Sequence, residues 1–584
     1  MRPHRSARLL TATAALGVAA GAFVVTPAQA APPTPFRWTE ATMDQVRSAL
    51  VTGRLTCTEL VQGYLDRIAA YDKQGPALRS IIALSPTALA EARALDAVRQ
   101  PSKGASTGRL YCVPVVLKDN IDLAGLPTTA GATVLAGSRP PDDAFVAKRL
   151  QDEGAIVLGK ANLDEFAFGF GGSSSVGGQV RNAYDPTRGP GGSSSGTGAA
   201  VAASLAMVGL GTDTGGSVRV PSSVEGLVGI RPSMRLLSQD GIVPLSLFQD
   251  TAGPMCRAVQ DCATMLDVLA AYDPSSSSGQ YTLPQQRDDK GVLLDSAAAY
   301  RETVGVRQDA YTKALDPKGL RGARIGVVRA LFGTDPDVLA VLDAAIARMR
   351  ASGATVEDVT IPDLDTITSR YSSLSSYEFK DHLTRYLQSW SSAQDGHPRT
   401  FEEVAAAAAP SRRSSFASYG VLGTDRYANA TYDRNTLERP GYVRPRLTAA
   451  LDNTDLAGNA LGEPYDSLLY PSVTSLPKVG TAPSTGNNNR LSPFSGFPAL
   501  SMPAGFTAAT ASRPALPVGM ELLGREFDEP TLLRLAYGYQ SSVAGTSLAR
   551  QAPTTTPELA GTAVGKKSVP AGRSEKAFPV VVGN

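Results

Sequence analysis

Between residues 188 and 224 the chain reads RGPGGSSSGTGAAVAASLAMVGLGTDTGGSVRVPSSV. Two Gly/Ser-rich blocks enclose a run of small apolar residues, and this juxtaposition constrains the fold more than any other feature. Gly/Ser-rich sequence alone is the composition of a flexible linker. Here it feeds directly into AAVAASLAMVGLG, a run suited to a tightly packed helix followed by a buried strand. Adjacent glycines weaken helix and strand alike, because glycine loses the most backbone entropy on ordering. They are tolerated where the backbone itself must come close to something. TDTGGS, ending at Ser217, therefore reads either as a tight turn after a strand or as a loop whose amides approach a ligand.

The rest of the chain alternates strand and helix patterns. Thr42-x-x-Gln45 and Thr56-x-x-Glu59 have the form of capping boxes. After the second, Leu60, Val61, Tyr64, Leu65 and Ile68 share one helical face. YCVPVVLKDNID reads as a buried strand ending at Lys118 and Asp119, and FVAKRLQDEGAIVLGKANLDEF as helix, turn, strand, turn. GLRGARIGVVRALFG returns to strand pattern, 337–350 is helical, and 365–450 is helical and irregular with scattered aromatics. SLLYPSVTSLPKVG and PALSMPAGF continue as strands toward a last helix. Such alternation predicts an α/β class with much of the sheet buried. Residues 274–316 read as an inserted polar surface segment, and the Thr/Pro/Ala/Gly/Lys-rich tail from about 551 as disordered.

Three residues carry the chemistry. Lys118 ends an apolar strand, where an ammonium is costly unless paired or neutral. It either pairs with Asp119 or Asp122, or loses its charge and becomes a general base. A base can activate a serine, and Ser193 and Ser217 are the candidates. The N–H groups of Thr214, Gly215, Gly216 and Ser217 can converge on an oxyanion with little side-chain obstruction. A competing pattern is GSSSG at 192–196, which fits G-x-S-x-G with Ser194 as nucleophile. It requires a strand directly before it and a histidine downstream. NAYDPTRGP is turn-like, and the two downstream histidines, His382 and His397, read as surface residues. No C-x-x-C and no histidine cluster is present, which argues against a zinc ribbon, a redox motif and a histidine-rich metal site; the expected reaction needs no cofactor and no metal.

VPVVLKDNID, GKANLDEFAFG, RGPGGSSSGTGAAVAA, GLGTDTGGSVRVPSS, GLVGIRPS, GPMCRAVQDCATMLDVLAAYDP and LPVGMELLGREFDEPTLLRLAYGY together resemble the amidase signature family, from about residue 40 to 545. The resemblance implies one large α/β/α layered domain over 31–550 with a mixed central sheet of about eleven strands. It implies Ser217 as nucleophile, Ser193 as a bridging serine on a cis peptide bond, and Lys118 as base. Ser194, Asp213 and Arg219 would brace the loop, and Asn162 and Glu165 would form a structural motif. The implied activity is hydrolysis of a small-molecule or peptide carboxamide to carboxylate plus ammonia or amine. Tyr371, Tyr377, Phe379, Tyr386 and Trp390 either line that site or fill the core. Three positions depart from the family: Ser195 and Cys112 stand where glycine is common, and Thr214 where an apolar residue is. They bear on substrate shape rather than on the reaction. Two other functions stay open: a glutaminase subunit of a tRNA-dependent amidotransferase, and an inactive exported binding protein on the same scaffold.

Arg2, Arg5 and Arg8 precede LLTATAALGVAAGAFVV, and AQA at 28–30 resembles a signal-peptidase site. This layout over 1–30 predicts Sec export, a mature start near Ala31 and an extracellular location; an uncleaved anchor is the alternative. Without the three arginines the chain has 53 basic and 54 acidic residues, which gives no support for nucleic-acid binding or an anionic membrane surface. Outside the cell Cys57, Cys112, Cys256 and Cys262 can form two disulfides, with Cys256–Cys262 the local pair; four buried thiols are the other reading.

Overall fold

A computed structural model describes residues 36–98, 108–276, 296–304, 310–390, 397–480 and 488–559. The predicted leader and residues 560–584 lie outside the described residues.

The strands run in chain order as β1 (Ile81–Leu84), β2 (Pro114–Lys118), β3 (Ile156–Ala161), β4 (Ser173–Ser174), β5 (Gly178–Gln179), β6 (Val208–Asp213) and β7 (Val228–Arg231). They continue as β8 (Thr251–Cys256), β9 (Arg324–Val327), β10 (Thr355–Asp358), β11 (Ser467–Pro471), β12 (Ala499–Phe506) and β13 (Pro517–Leu523). β4 and β5 form a small hairpin sheet. The other strands form one 11-stranded sheet in the order β1-β3-β2-β6-β8-β7-β12-β13-β11-β9-β10. It is mixed, as expected: β3, β2 and β6 are parallel, as are β11, β9 and β10, and the strands between them pair antiparallel. β2, β3, β6, β7 and β8 are buried along their whole length, because helices cover both faces.

The glycine-rich block before residue 199 is not a linker. It opens the helix Ser195–Ala202, every residue of which is buried. A Cβ on Gly196 would lie 2.4 Å from the Ser80 carbonyl oxygen and 2.5 Å from the Asn162 nitrogen, so this helix packs backbone against backbone. Both capping boxes form, with Gln45 and Glu59 reaching back to the cap amides.

Residues 364–390 and 397–452 build a helical cap. Phe379, Leu383, Tyr386, Leu387 and Trp390, from the helix Ser375–Ser389 and its end, pack with Phe166, Phe401 and Phe416 in a separate apolar cluster. Tyr371 and Tyr377 sit in two further clusters. The five aromatics are therefore core residues of this cap.

Three expectations are corrected. Part of the polar insertion docks: Tyr300 and Tyr311 are buried, and the Tyr300 hydroxyl donates to the Leu236 carbonyl at 2.6 Å. Residues 551–559 pack on the body largely through backbone carbonyls, with the Thr555 hydroxyl donating to the Ala183 carbonyl and Glu558 meeting Thr39. Arg67 donates to Thr556 and Pro557 oxygens, each at 2.9 Å, and Tyr184 donates to Gln551 at 2.6 Å. Carbonyls leave no trace in composition, which is why the segment reads as disordered. His382, read as a surface residue, is 3% exposed. The cysteines form Cys57–Cys112 and Cys256–Cys262 disulfides. Among the described residues no helix is long and apolar enough to cross a membrane.

Candidate active site

β2 carries Lys118 at its end, fully buried, and β6 lies beside it in parallel register. The register brings Thr212 to the lysine. Lys118 Nζ lies 2.6 Å from Ser193 Oγ, 2.8 Å from Thr212 Oγ1 and 3.4 Å from the Thr212 carbonyl oxygen. Neither Asp119 nor Asp122 pairs with Lys118. Asp119 lies 3.1 Å from Lys160, and Asp122 accepts from the Tyr386 hydroxyl at 2.7 Å. Burial pushes Lys118 down to about 7; Asp164, Asp213 and Asp250 oppose the shift without cancelling it.

The peptide bond between Gly192 and Ser193 is cis. Ser194 N–H donates to the Ser217 carbonyl at 3.1 Å, which sets the two serine-bearing loops side by side. Ser194 Oγ lies 3.2 Å from the Thr212 carbonyl oxygen and 3.3 Å from its nitrogen. This side chain is therefore tied to the backbone of β6. The elbow reading of Ser194 fails on the histidines as well. His382 Nδ1 accepts from Leu247 N–H at 3.3 Å, and burial holds its ring neutral, down to about 3. His397 stacks on Trp390 at 4.3 Å and meets Ser138 Oγ at 2.8 Å.

Asp213 anchors the TDTGGS loop from within. Its carboxylate accepts from Gly216 N–H at 2.6 Å, Val218 N–H at 3.1 Å and Arg219 Nε at 3.1 Å. Burial works against its charge, but Arg219, Arg231 and the Gly216 amide outweigh it and hold the carboxyl well below the usual range. Arg219 also reaches Glu521 at 2.5 Å, and Arg231 donates to the Asp213 carbonyl. Two buried acids thus face two buried guanidinium groups.

The loop amides differ in availability. Gly216 N–H is committed to Asp213, which corrects its place among the expected oxyanion donors. Among the described residues the N–H groups of Thr214, Gly215 and Ser217 have no hydrogen-bond partner. A Cβ on Gly215 would meet open space, whereas one on Gly216, at φ +128°, would lie 1.7 Å from Asn489 Nδ2. Thr214 Oγ1 donates to Asp250 at 2.5 Å, and its carbonyl accepts from Gln249 Nε2 at 3.1 Å.

Asn162 and Glu165 are structural. Asn162 Nδ2 donates to the Arg79 carbonyl at 3.0 Å, and Glu165 accepts from Ser175 N–H at 2.7 Å. Sequence reasoning missed Thr212, Asp250, Arg231 and Glu521. Sheet register brings Thr212, Arg231 and Glu521 to the site, and the loop before β8 brings Asp250. Among the described residues no group of His, Cys, Asp and Glu could hold a metal ion.

A fully buried lysine hydrogen-bonded to a serine stands beside a loop of free amides on a mixed 11-stranded sheet, the architecture of an α/β enzyme. The chain belongs to the amidase family, whose model, Amidase, matches residues 59–533, and it is an enzyme of C–N amide-bond chemistry. It is similar to Glutamyl-tRNA(Gln) amidotransferase A subunits; that of Alkaliphilus metalliredigens is 32% identical over 523 residues, covering 86% of this chain and 96% of the relative. Among solved structures it resembles the native peptide amidase of Stenotrophomonas maltophilia (TM-score 0.72, 32% identity, 90% of this chain and 100% of that one). It also resembles an amidase family protein of Bacillus anthracis (TM-score 0.70, 28% identity, 88% and 92% covered).

Proposed function

We propose that this protein hydrolyses carboxamides through an acyl-enzyme on Ser217, with Ser193 and Lys118 relaying the proton. The observation that carries the reading is the coordination of Lys118 Nζ. An ammonium has three N–H donors and no lone pair; a neutral amine has two N–H donors and one lone pair. The three oxygens around Nζ are the Thr212 carbonyl, Thr212 Oγ1 and Ser193 Oγ. A neutral Lys118 donates to both Thr212 oxygens and accepts the Ser193 proton, leaving Ser193 to accept that of Ser217.

Ser217 Oγ then bonds to the amide carbon while its proton moves to Ser193 and the Ser193 proton to Lys118. The carbonyl π-pair becomes an oxyanion held by the amides of Thr214, Gly215 and Ser217, each donor worth about 3 kcal/mol. Collapse breaks the C–N bond, and the relay returns the proton to the leaving nitrogen. Water repeats the path to release the carboxylic acid. Asp213, Arg219 and Ser194 position this loop.

A second reading draws on the curated relatives, which are named as amidotransferase A subunits. In it the chain releases ammonia from glutamine for partner subunits. The two readings share the acyl-enzyme and differ in substrate, partner and compartment. Support for the first is the pair of disulfides, which suit an oxidising compartment, the export layout of residues 1–30, and the likeness to a peptide amidase. We infer export on the same grounds.

The test assays the purified chain alone on peptide amides, small amides and glutamine, with hydroxylamine to trap the acyl group. Turnover without partners, lost in Ser217→Ala together with fluorophosphonate labelling, is expected. Glutaminase activity that requires added amidotransferase subunits would install the second reading. Absence of labelling at Ser217 in folded protein would point to an inactive binding scaffold.

A further inference from the structure

A cavity lies among the helix Arg439–Asp452, the short helix Leu491–Ser495 and the turn that follows β7. Arg439 lines it and is 3% exposed. One terminal nitrogen of its guanidinium donates to Gln249 Oε1 at 3.2 Å and to the Ser372 carbonyl at 2.6 Å. Its Nε is buried without a partner, and among the described residues no carboxylate lies within ion-pair distance of it. The guanidinium carbon lies 4.5 Å from the centre of the Phe494 ring. Glu526, also on the wall, is already held by Arg235 and Arg444. Phe248 and Leu374 are apolar parts of the lining.

A cation stripped of water and given no counter-ion is among the most costly groups to bury. Burial pulls Arg439 down to about 9, although Glu378 and Tyr371 favour its charge. We propose that this cavity binds a small carboxylate with a short apolar body, an oxygen on Arg439 and its body against Phe248 and Leu374. With one terminal nitrogen committed to Gln249 and Ser372 and Nε closed off, the other terminal nitrogen is the one left for a carboxylate oxygen, and the apolar wall suits a carbon chain better than the third face of a phosphate. The site is separate from the triad, since Lys118, Ser193 and Ser217 do not line it. Gln249 links the two, accepting from Arg439 and donating to the Thr214 carbonyl.

Calorimetric titration of the intact protein with butanoate, and with butan-1-ol as the uncharged control, tests this. Butanoate is expected to bind, to weaken with added salt, and to lose about tenfold or more in affinity in Arg439→Gln, whereas butan-1-ol distinguishes the two proteins little. Crystals soaked in 4-bromobutanoate should show bromine beside Phe248 and Leu374, a readout that stands even if Arg439→Gln fails to fold. Absence of butanoate binding, equal affinity in Arg439→Gln, or bromine found only elsewhere overturns the proposal. None of these readouts depends on turnover, so they stand or fall apart from the acyl-enzyme reading.

Discussion

Lys118 makes one identifiable contribution to the pH behaviour of this protein. Unfolded, its amine titrates near 10.5; folded, burial brings it to about 7. Between those values the unfolded chain binds a proton that the folded one does not, so this residue's contribution to stability rises with pH across that window. Below about 7 both states hold the proton and the gain is absent. Burial raises Asp122 and Asp261 to about 7 and Glu378 to about 8, and these carboxyls pull the other way below pH 8. Between pH 8 and 10 the urea midpoint should therefore rise more steeply in the wild-type protein than in Lys118→Met. The same titration puts the acidic limb of kcat/KM near 7, and Lys118→Ala should remove nearly all turnover. Asp213→Asn leaves Arg219 with Glu521 alone and removes the one carboxylate paired with Arg231 among the described residues. It should cost about 3–5 kcal/mol in urea unfolding and abolish activity. Lys118, Ser193 and Ser217 are legible in the sequence because strand-end lysine and glycine-flanked serine are local patterns. Thr212 and Asp250 are not, because an ordinary threonine and aspartate gain a role here through what the neighbouring strands and loops bring to them.

At the scale of elements, the loop from Asp213 to Ser217 is fastened on both sides. Its inner side rests on Asp213 and its arginines, its outer side on Asp250 and Gln249. Gly216→Ala drives a methyl into Asn489, at a φ that favours glycine. It should lower kcat/KM by about 100-fold and cost about 1–3 kcal/mol. Adding Asn489→Ala should recover part of both losses, a non-additivity that identifies the contact. Cys112 shows how a departure from family pattern is absorbed. It holds φ +61°, in the region that favours glycine, and its sulfur is joined to Cys57. The strand and helix patterns survive translation into structure because their periods are local. The cap was visible as helical sequence, whereas its aromatic cluster, drawn together from Phe166 to Phe416, depends on packing across 250 residues.

For the whole molecule, cross-linking is unequal. Cys57–Cys112 closes a separation of 55 residues and Cys256–Cys262 one of 6. On chain entropy alone the first contributes about 4 kcal/mol and the second about 2 kcal/mol. Cys57→Ala/Cys112→Ala should therefore lower the unfolding free energy about twice as much as Cys256→Ala/Cys262→Ala. The hydrogen bonds of the last described segment have another consequence. Glu40 pairs with Arg550, Thr39 meets Glu558, and Arg67 holds Thr556 and Pro557. Both extremities of the described residues are thus pinned at one spot. A short peptide splice between residues near 39 and 558 would make the described body a ring that could be reopened elsewhere, and reporter domains joined directly at those two positions would emerge as neighbours.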